Sequence, residues 1–258
     1  MRRNVIKQRL ADGDKIIGTM LQELRTPAMA QVLKAVGFDF FMIDMEHGSF
    51  NLESATEIIR VGRILDMCPL VRAPSPEYHL IAKVLDQGAM GVMMPRIETR
   101  EHVETLVESM KYPPLGKRGC SSDAPHSEYS FGSLSDFIDI NNQDTLVITQ
   151  IERKVAIENI DDLLAVPGVD VALIGPEDLS VSMGVPGETS HPLVEEAIEK
   201  VIGAANRHDV VPAIHMGGAE PLIGWLAKGM RMVMYSSDLG FIMEASENGL
   251  NQIRASLD

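Results

Sequence analysis

Charged side chains directly follow several short apolar segments of this 258-residue sequence. The stretch Asp44–His47 follows one such segment, and Arg72 ends the next one. Glu152 and Asp178 follow two further apolar segments. Charges at the end of a buried segment cost several kcal/mol unless they are paired or hold a cation. This pattern predicts either a catalytic site or a structural network of salt bridges.

Glu152 and Asp178 are the candidate ligands of a divalent metal ion. They end neighbouring segments, so their oxygen atoms can reach one cation if those segments are adjacent strands. Two carboxylates, completed by water and substrate oxygens, commonly bind Mg²⁺ or Mn²⁺. Because Asp and Glu end many strands, the pair predicts a metal site only together with its polar neighbours.

His47 and Arg72 are candidates for proton transfer and for carbonyl polarisation. A lone histidine is more often a hydrogen-bonded core residue, but His47 lies between Glu46 and Gly48 beside other charges, which favours a function. An arginine after an apolar segment needs an anionic or carbonyl partner, and a substrate could supply it. His215 ends a later segment, and its role is ambiguous. The remaining histidines are expected to be solvated: His79, His102, His126, His191 and His208.

The stretch Gly175-Pro176-Glu177-Asp178 precedes a helical pattern. The first turn of a helix has backbone N–H groups without partners inside the helix, and these groups bind carboxylates well. The stretch therefore predicts a seat for the carboxylate of a substrate.

A Schiff-base mechanism would instead need a lysine at the C-terminal end of a strand. Lys15 precedes the first apolar segment, Lys228 precedes the last, and Lys154 lies just past Glu152. None is well placed, although Lys154 keeps this alternative open. We therefore expect a metal ion to act as the electrophile.

Eight apolar segments alternate with helical patterns along the chain. Continuous hydrophobic runs of this kind are typical of strands that are covered on both faces. Right-handed crossovers would bring the C-terminal ends of such strands to one rim. We predict an α/β fold, a (β/α)8 TIM barrel that forms a single domain over residues 1–258. An open doubly wound sheet is the alternative, although no Gly-x-Gly-x-x-Gly motif follows the first strand. The predicted strands are Ile16–Met20, Phe40–Asp44, Leu70–Arg72, Gly91–Met94, Leu146–Ile151, Val171–Ile174, Val211–His215 and Met232–Tyr235.

Helix starts and one long connection can also be predicted. Thr26-Pro27 and Ser75-Pro76 place a capping hydroxyl before a proline, and Asn51 and Thr99 are further candidate caps. The connection Lys111–Gln143, between strands four and five, is too polar and too rich in Pro, Gly and Ser to form one helix. Long loops in compact domains are usually functional or form interfaces.

Composition limits the partners of this chain. The net charge of −14 and the pI near 4.9 disfavour nucleic acids and anionic membrane surfaces. Two cysteines, Cys68 and Cys120, predict no disulfide framework. The N-terminus has basic residues but no apolar stretch after them, which argues against a secretory signal. We expect a soluble cytoplasmic protein whose partners are small molecules.

Five stretches resemble the HpcH/HpaI aldolase family, which consists of metal-dependent pyruvate aldolases with a barrel fold. Its pattern Tyr-Pro-Pro-x-Gly-x-Arg-Gly, together with Gly-Pro-x-Asp-Leu, is highly specific. The resemblance implies reversible cleavage of a 4-hydroxy-2-oxo acid to pyruvate and an aldehyde, with Mg²⁺, Mn²⁺ or Co²⁺ as cofactor. The matching stretches are Phe41–Gly48, Leu85–Val92, Tyr112–Gly119, Gln150–Glu152 and Gly168–Ser180.

The resemblance also implies roles for individual residues. Glu152 and Asp178 would bind the metal, and Arg72 would polarise the pyruvate carbonyl. His47, oriented by Asp86, would transfer the proton. Gln150 would contact the substrate. The backbone amides at the start of the predicted helix, at Gly175, Glu177 and Asp178, would bind the substrate carboxylate.

The same family suggests a homohexamer that exchanges C-terminal helices, with Arg118-Gly119 near the mouth of the site. The sequence departs from the usual family pattern at Cys120–Asp123 and at Glu177, which leaves the aldehyde half of the substrate open. A 2-oxo acid decarboxylase, or another carbon–carbon lyase with the same metal-enolate site, is the alternative enzyme. A non-catalytic barrel would be expected to lack at least one residue of the candidate site. All four central residues are present, namely His47, Arg72, Glu152 and Asp178.

Overall fold

The computed structural model describes residues 2–130 and 132–257, and this part of the chain forms a closed barrel of parallel strands. The strands are β1 (Ile16–Leu21), β2 (Phe40–Asp44), β3 (Cys68–Arg72), β4 (Gly91–Met94), β5 (Leu146–Ile151), β6 (Val171–Ile174), β7 (Val211–Met216) and β8 (Met232–Ser237). They pair in chain order, and β8 pairs with β1. The predicted TIM barrel is confirmed, and the open sheet is wrong. Four strands have the predicted bounds, and the others extend by one or two residues.

Helices cover the outside of the barrel. They are α1 (Val5–Ala11), α2 (Ala28–Val36), α3 (Leu52–Ile64), α4 (Tyr78–Asp86), α5 (Arg100–Met110), α6 (Leu134–Asp144), α7 (Lys154–Glu158), α8 (Ile160–Leu164), α9 (Pro176–Ser182), α10 (Pro192–Arg207), α11 (Ala219–Ala227) and α12 (Asp238–Ala255). Within the described residues, no helix combines the length and the apolar character needed to cross a membrane.

The predicted helix caps are partly confirmed. Asn51 accepts a hydrogen bond from the N–H of Ser54, and Thr99 caps α5 in the same way. Ser75 does not cap a helix, because α4 begins only after Glu77. At Thr26-Pro27 the proline itself occupies the capping position of α2.

Successive strand residues belong to two different cores. Phe40 and Met42 lie in the barrel interior, whereas Phe41 and Ile43 pack among the helices. Both faces are therefore buried, which explains the continuous hydrophobic runs. Helix α1 adds Ile6 and Leu10 to the interior cluster. Because α1 precedes β1, it covers the N-terminal ends of the strands and leaves the C-terminal ends open for a site.

The connection between β4 and β5 is not one helix, as predicted, and it contains a short 3-10 helix (Pro125–Ser127) before α6. Its first part folds against the end of α4. The buried side chain of Arg118 pairs with Asp86 at 2.5 Å and lies 4.7 Å from the ring centre of Tyr112. Asp86 ends α4 just before β4 begins, at the N-terminal end of the barrel. The expectation that Arg118-Gly119 lies near the site mouth is therefore not met inside a single subunit.

His126, expected to be solvated, is buried in this connection. Its ring lies 3.4 Å from the hydroxyl of Tyr112 and 3.1 Å from the carbonyl oxygen of Asp86. Burial lowers the pKa of His126 to about 4. Arg63 donates to the carbonyl oxygen of His126 at 3.1 Å. These contacts fasten the connection to α3 and α4.

Candidate active site

A buried ion pair joins the C-terminal ends of β2 and β3. The Nε and Nη2 groups of Arg72 donate to the two carboxylate oxygens of Asp44 at 2.8 and 2.6 Å. Asp44 also accepts from the backbone N–H groups of Glu46 and His47 at 3.0 and 3.2 Å. Burial raises the pKa of Asp44, but Arg72 and the two amides outweigh it, so the pKa lies below its ordinary value. Arg72 keeps Nη1 for other partners.

Glu46 connects Arg72 to a second arginine that the sequence analysis missed. Its Oε2 lies 3.4 Å from Nη1 of Arg72, and its Oε1 lies 3.2 Å from Nη2 of Arg96. Arg96 also donates to the carbonyl oxygen of Pro74 at 3.0 Å. Arg96 follows β4 and Pro95, so the rule applied to the other strand ends would have found it.

Glu152 is a further buried carboxylate at this rim. Its Oε1 accepts from the backbone N–H of Arg96 at 2.7 Å, and its Oε2 accepts from the amide of Gln150. Burial raises the pKa of Glu152, the charges of Asp178 and Glu46 raise it further, and the result lies above the ordinary value. The neighbouring amide and Arg72 therefore do not offset the burial of this carboxylate and its repulsion by Asp178 and Glu46.

Gly175 lies against the same two side chains. A Cβ at this position would be 3.0 Å from Nε2 of Gln150 and 3.1 Å from Oε2 of Glu152. It precedes α9, whose exposed first turn contains Glu177 and Asp178. Four predicted site residues are thus brought together at one rim: Gln150, Glu152, Gly175 and Asp178.

His47 and Asp86 do not meet within one chain. His47 lies at the C-terminal rim, where its largely exposed side chain places Nε2 3.8 Å from Oε2 of Glu46. Asp86 lies at the opposite end, paired with Arg118. Barrel helices run antiparallel to the strands, so the end of a helix always lies away from the catalytic rim. The expectation that Asp86 orients His47 is not met inside a single subunit.

His215, left ambiguous by the sequence, lies among these residues. Its Nε2 donates to the carbonyl oxygen of Ser236 at 3.0 Å. Burial lowers the pKa of His215, and the charges of Arg72 and Asp44 also act on it. A neutral imidazole with a fixed orientation thus faces the site.

The donor set at this rim can be tested for a metal ion. Among the described residues, no three or more His, Cys, Asp or Glu side chains converge on one metal position. Two carboxylates are nevertheless enough for a hard divalent ion when water and substrate supply the other oxygens. Glu152 has a raised pKa beside Asp178, and the side-chain oxygen of Gln150 is buried without a partner. These residues fit a divalent cation.

The barrel and its charged C-terminal rim define an enzyme of the TIM-barrel class. The sequence pattern of the HpcH/HpaI aldolase/citrate lyase family matches residues 19–245, and the chain belongs to this family. The protein is accordingly a carbon–carbon lyase of the aldolase type.

Individual relatives agree with this assignment. The chain is 32% identical over 224 residues to the 5-keto-4-deoxy-D-glucarate aldolase of Shigella dysenteriae, covering 87% of each chain. It is 29% identical over 245 residues to the hydroxypyruvate/pyruvate aldolase of Roseobacter denitrificans, covering 95% of each. The crystal structure of an HpcH/HpaI aldolase from Desulfitobacterium hafniense superposes with a TM-score of 0.93 at 31% identity, covering 96% of each chain.

Proposed function

We propose that the protein is a divalent-metal-dependent aldolase that reversibly cleaves a 4-hydroxy-2-oxo acid to pyruvate and an aldehyde. The observation that carries this proposal is Glu152, a buried carboxylate with a raised pKa that lies beside Asp178 and within the field of Arg72. A buried carboxylate is costly unless a cation compensates it. The aldolase names of the relatives support the reaction type.

Glu152 and Asp178 are the metal ligands in this proposal. Carboxylate oxygens suit Mg²⁺, Mn²⁺ or Co²⁺. A bound divalent ion draws electron density from the 2-oxo group of the substrate.

The other residues act on the substrate directly. Arg72, held by Asp44, offers Nη1 to the 2-oxo oxygen, where negative charge develops during cleavage. The amides of Glu177 and Asp178, after Gly175, bind the carboxylate, and Gln150 contacts the same acid. His47 removes the proton of the 4-hydroxyl group during cleavage, and a proton is then delivered to C3 of the pyruvate enolate; addition runs the two transfers in reverse.

The pairing of His47 with Asp86 requires a second subunit, because the two lie at opposite ends of one barrel. Helix α12 supports association, since it projects apolar side chains into solvent. These exposed residues are Ile242, Met243, Leu250 and Ile253. The proposal is a homo-oligomer, a hexamer as in the resembling family, in which Asp86 and Arg118-Gly119 of one subunit approach His47 of the next.

Release of pyruvate from a panel of 4-hydroxy-2-oxo acids tests the reaction. We expect activity with Mg²⁺, Mn²⁺ or Co²⁺, loss of activity with EDTA, and inactive Glu152→Ala and Asp178→Ala variants. Glu177→Ala, on the same exposed turn, is the matched control and keeps activity because its backbone N–H remains. Activity that persists in EDTA or in Glu152→Ala would overturn the proposal.

Product analysis separates the aldolase from the alternative lyase. An oxo-diacid panel that yields carbon dioxide, with no aldehyde from any hydroxy-oxo acid, would identify a decarboxylase instead.

Mixing two inactive variants tests the shared site. His47→Asn and Asp86→Asn subunits, refolded together, should regain activity, since some sites then combine an intact His47 with an intact Asp86. Mixed oligomers without recovered activity would contradict the shared site.

A further inference from the structure

Arg96 has a backbone conformation that is rare for its residue type. Its φ of 55° lies in the left-handed region, which side chains with a Cβ seldom adopt. This conformation directs its backbone N–H to Oε1 of Glu152 at 2.7 Å. Its guanidinium extends across the rim to Glu46 at 3.2 Å and to the carbonyl oxygen of Pro74 at 3.0 Å. Left-handed non-glycine residues cluster at functional sites.

These contacts join four consecutive strand ends through one residue. Glu46 follows β2, Pro74 follows β3, Arg96 follows β4, and Glu152 follows β5. The backbone of Arg96 restrains Glu152, and its side chain restrains Glu46. An exposed Arg–Glu pair by itself would contribute little. Here, however, the acceptor side chains are buried: Glu46 is 8% exposed and Glu152 is 3% exposed.

We propose that Arg96 is a positioning residue: its backbone fixes Glu152 for binding of the divalent metal ion, and its side chain holds Glu46 beside Arg72. This inference rests on the proposed function, because it assigns Glu152 to the metal. A purely structural role for Arg96 would affect stability alone. In the proposed role, the left-handed backbone of Arg96, and not only the charge of its side chain, affects the affinity for the metal ion.

Two substitutions separate the backbone from the side chain. Asparagine tolerates the left-handed region, so Arg96→Asn keeps the N–H donor aimed at Glu152 and removes the side-chain contacts to Glu46 and to the carbonyl oxygen of Pro74. Valine is β-branched and strongly disfavoured there, so Arg96→Val moves the N–H away. Mn²⁺ binding by titration calorimetry is the readout. Residues that hold a metal ligand typically contribute about 10- to 100-fold to affinity, so Arg96→Val should bind Mn²⁺ at least about tenfold more weakly.

Arg96→Asn should retain Mn²⁺ affinity within about threefold and instead lower kcat, because Glu46 beside Arg72 loses its second partner. Arg96→Lys should recover part of that kcat. Asp209→Val is the matched control, since Asp209 has a φ of 54° and lies before β7 at the opposite end of the barrel. Asp209→Val should lower the free energy of unfolding without changing the affinity for Mn²⁺.

The outcomes distinguish this inference from the proposed function. Wild-type protein that binds no Mn²⁺ overturns both. Wild-type protein that binds Mn²⁺, with Arg96→Val binding equally well, overturns the positioning role alone. A loss of Mn²⁺ affinity in Asp209→Val equal to that in Arg96→Val also overturns it, since general strain would then explain the effect.

Discussion

The carboxylate of Asp44 and the guanidinium of Arg72 form two parallel hydrogen bonds, 2.8 and 2.6 Å long, with Arg72 9% exposed and Asp44 fully buried. Such a bidentate pair fixes the plane of the guanidinium as well as its position. Arg72 is therefore oriented before any substrate binds.

Removing Asp44 should lower the free energy of unfolding by more than the loss of one hydrogen bond would. Asp44→Ala leaves Arg72 buried without its counter-ion, a change that typically costs ~3–5 kcal/mol in the free energy of unfolding. Urea denaturation measures this cost. The double variant Asp44→Ala/Arg72→Met should lose less than the two single variants together. Additive losses would mean that the pair is not coupled.

Acid should weaken the fold partly through Asp44. Its pKa in the folded protein lies below the ordinary 3.8, so its contribution is complete above that pH and is lost as the pH falls through the lowered value. Urea unfolding from about pH 5 down to below the ordinary pKa of 3.8 should show a steeper loss for the wild type than for Asp44→Asn. If the free energy of unfolding depended on pH identically in both proteins, Asp44 would not contribute to acid unfolding.

Glu152→Gln should stabilise the metal-free protein while abolishing activity. The pKa of Glu152 is raised above its ordinary 4.5, so the ionised carboxylate lowers stability as the pH rises through that raised value. Gln has no charge and still accepts the N–H of Arg96. At neutral pH in EDTA, we expect the variant to melt a few degrees above the wild type. Mn²⁺ should raise the Tm of the wild type only. A lower Tm for the variant would show that neighbouring groups already compensate the buried charge of Glu152.

Gly175→Ala should impair catalysis through crowding. The added methyl group would meet Gln150 and Glu152 at 3.0 and 3.1 Å, so these side chains must move. Displacement of catalytic groups by about 1 Å can cost ~100-fold in rate, and we expect kcat/KM to fall by at least about tenfold. Gly217→Ala, after β7, is the control, because nothing lies within 4 Å of its new Cβ. Equal losses in both variants would exclude crowding.

His47→Gln should lower kcat by about 10²–10⁴, the usual contribution of a general acid or base. His79→Gln replaces another largely exposed histidine, on α4, and should leave kcat unchanged. Steady-state kinetics with a cleavable 4-hydroxy-2-oxo acid measures both. An unchanged kcat for His47→Gln would assign the proton transfer to a different group.

The barrel and most of the residues at the candidate site could be predicted because both depend on strand ends. Runs that are apolar on both faces identify parallel strands, and barrel closure then brings Gln150, Glu152 and Gly175 to one rim. Arg96 follows β4 and could have been found by the strand-end rule, but the left-handed backbone that directs its N–H to Glu152 is indicated by no sequence pattern.

The error at His126 concerns a segment without hydrophobic periodicity. The burial of His126 follows from a connection that folds back over α3 and α4, and its polar composition predicts exposure instead. The separation of His47 from Asp86 within one barrel follows from helix direction, so their pairing stays a proposal that requires a second subunit.

The network around Glu46 also sets the electrostatic potential of the rim. Its carboxylates are Asp44, Glu46, Glu152 and Asp178, and its guanidinium groups are those of Arg72 and Arg96. By formal charge, these four carboxylates and two guanidinium groups leave an excess of two negative charges, on a protein whose net charge is −14. Such a field concentrates divalent cations more strongly than monovalent ones and disfavours free anions. Because added salt screens this field over roughly 10 Å at 0.1 M, the apparent Kd for Mn²⁺ should increase with ionic strength.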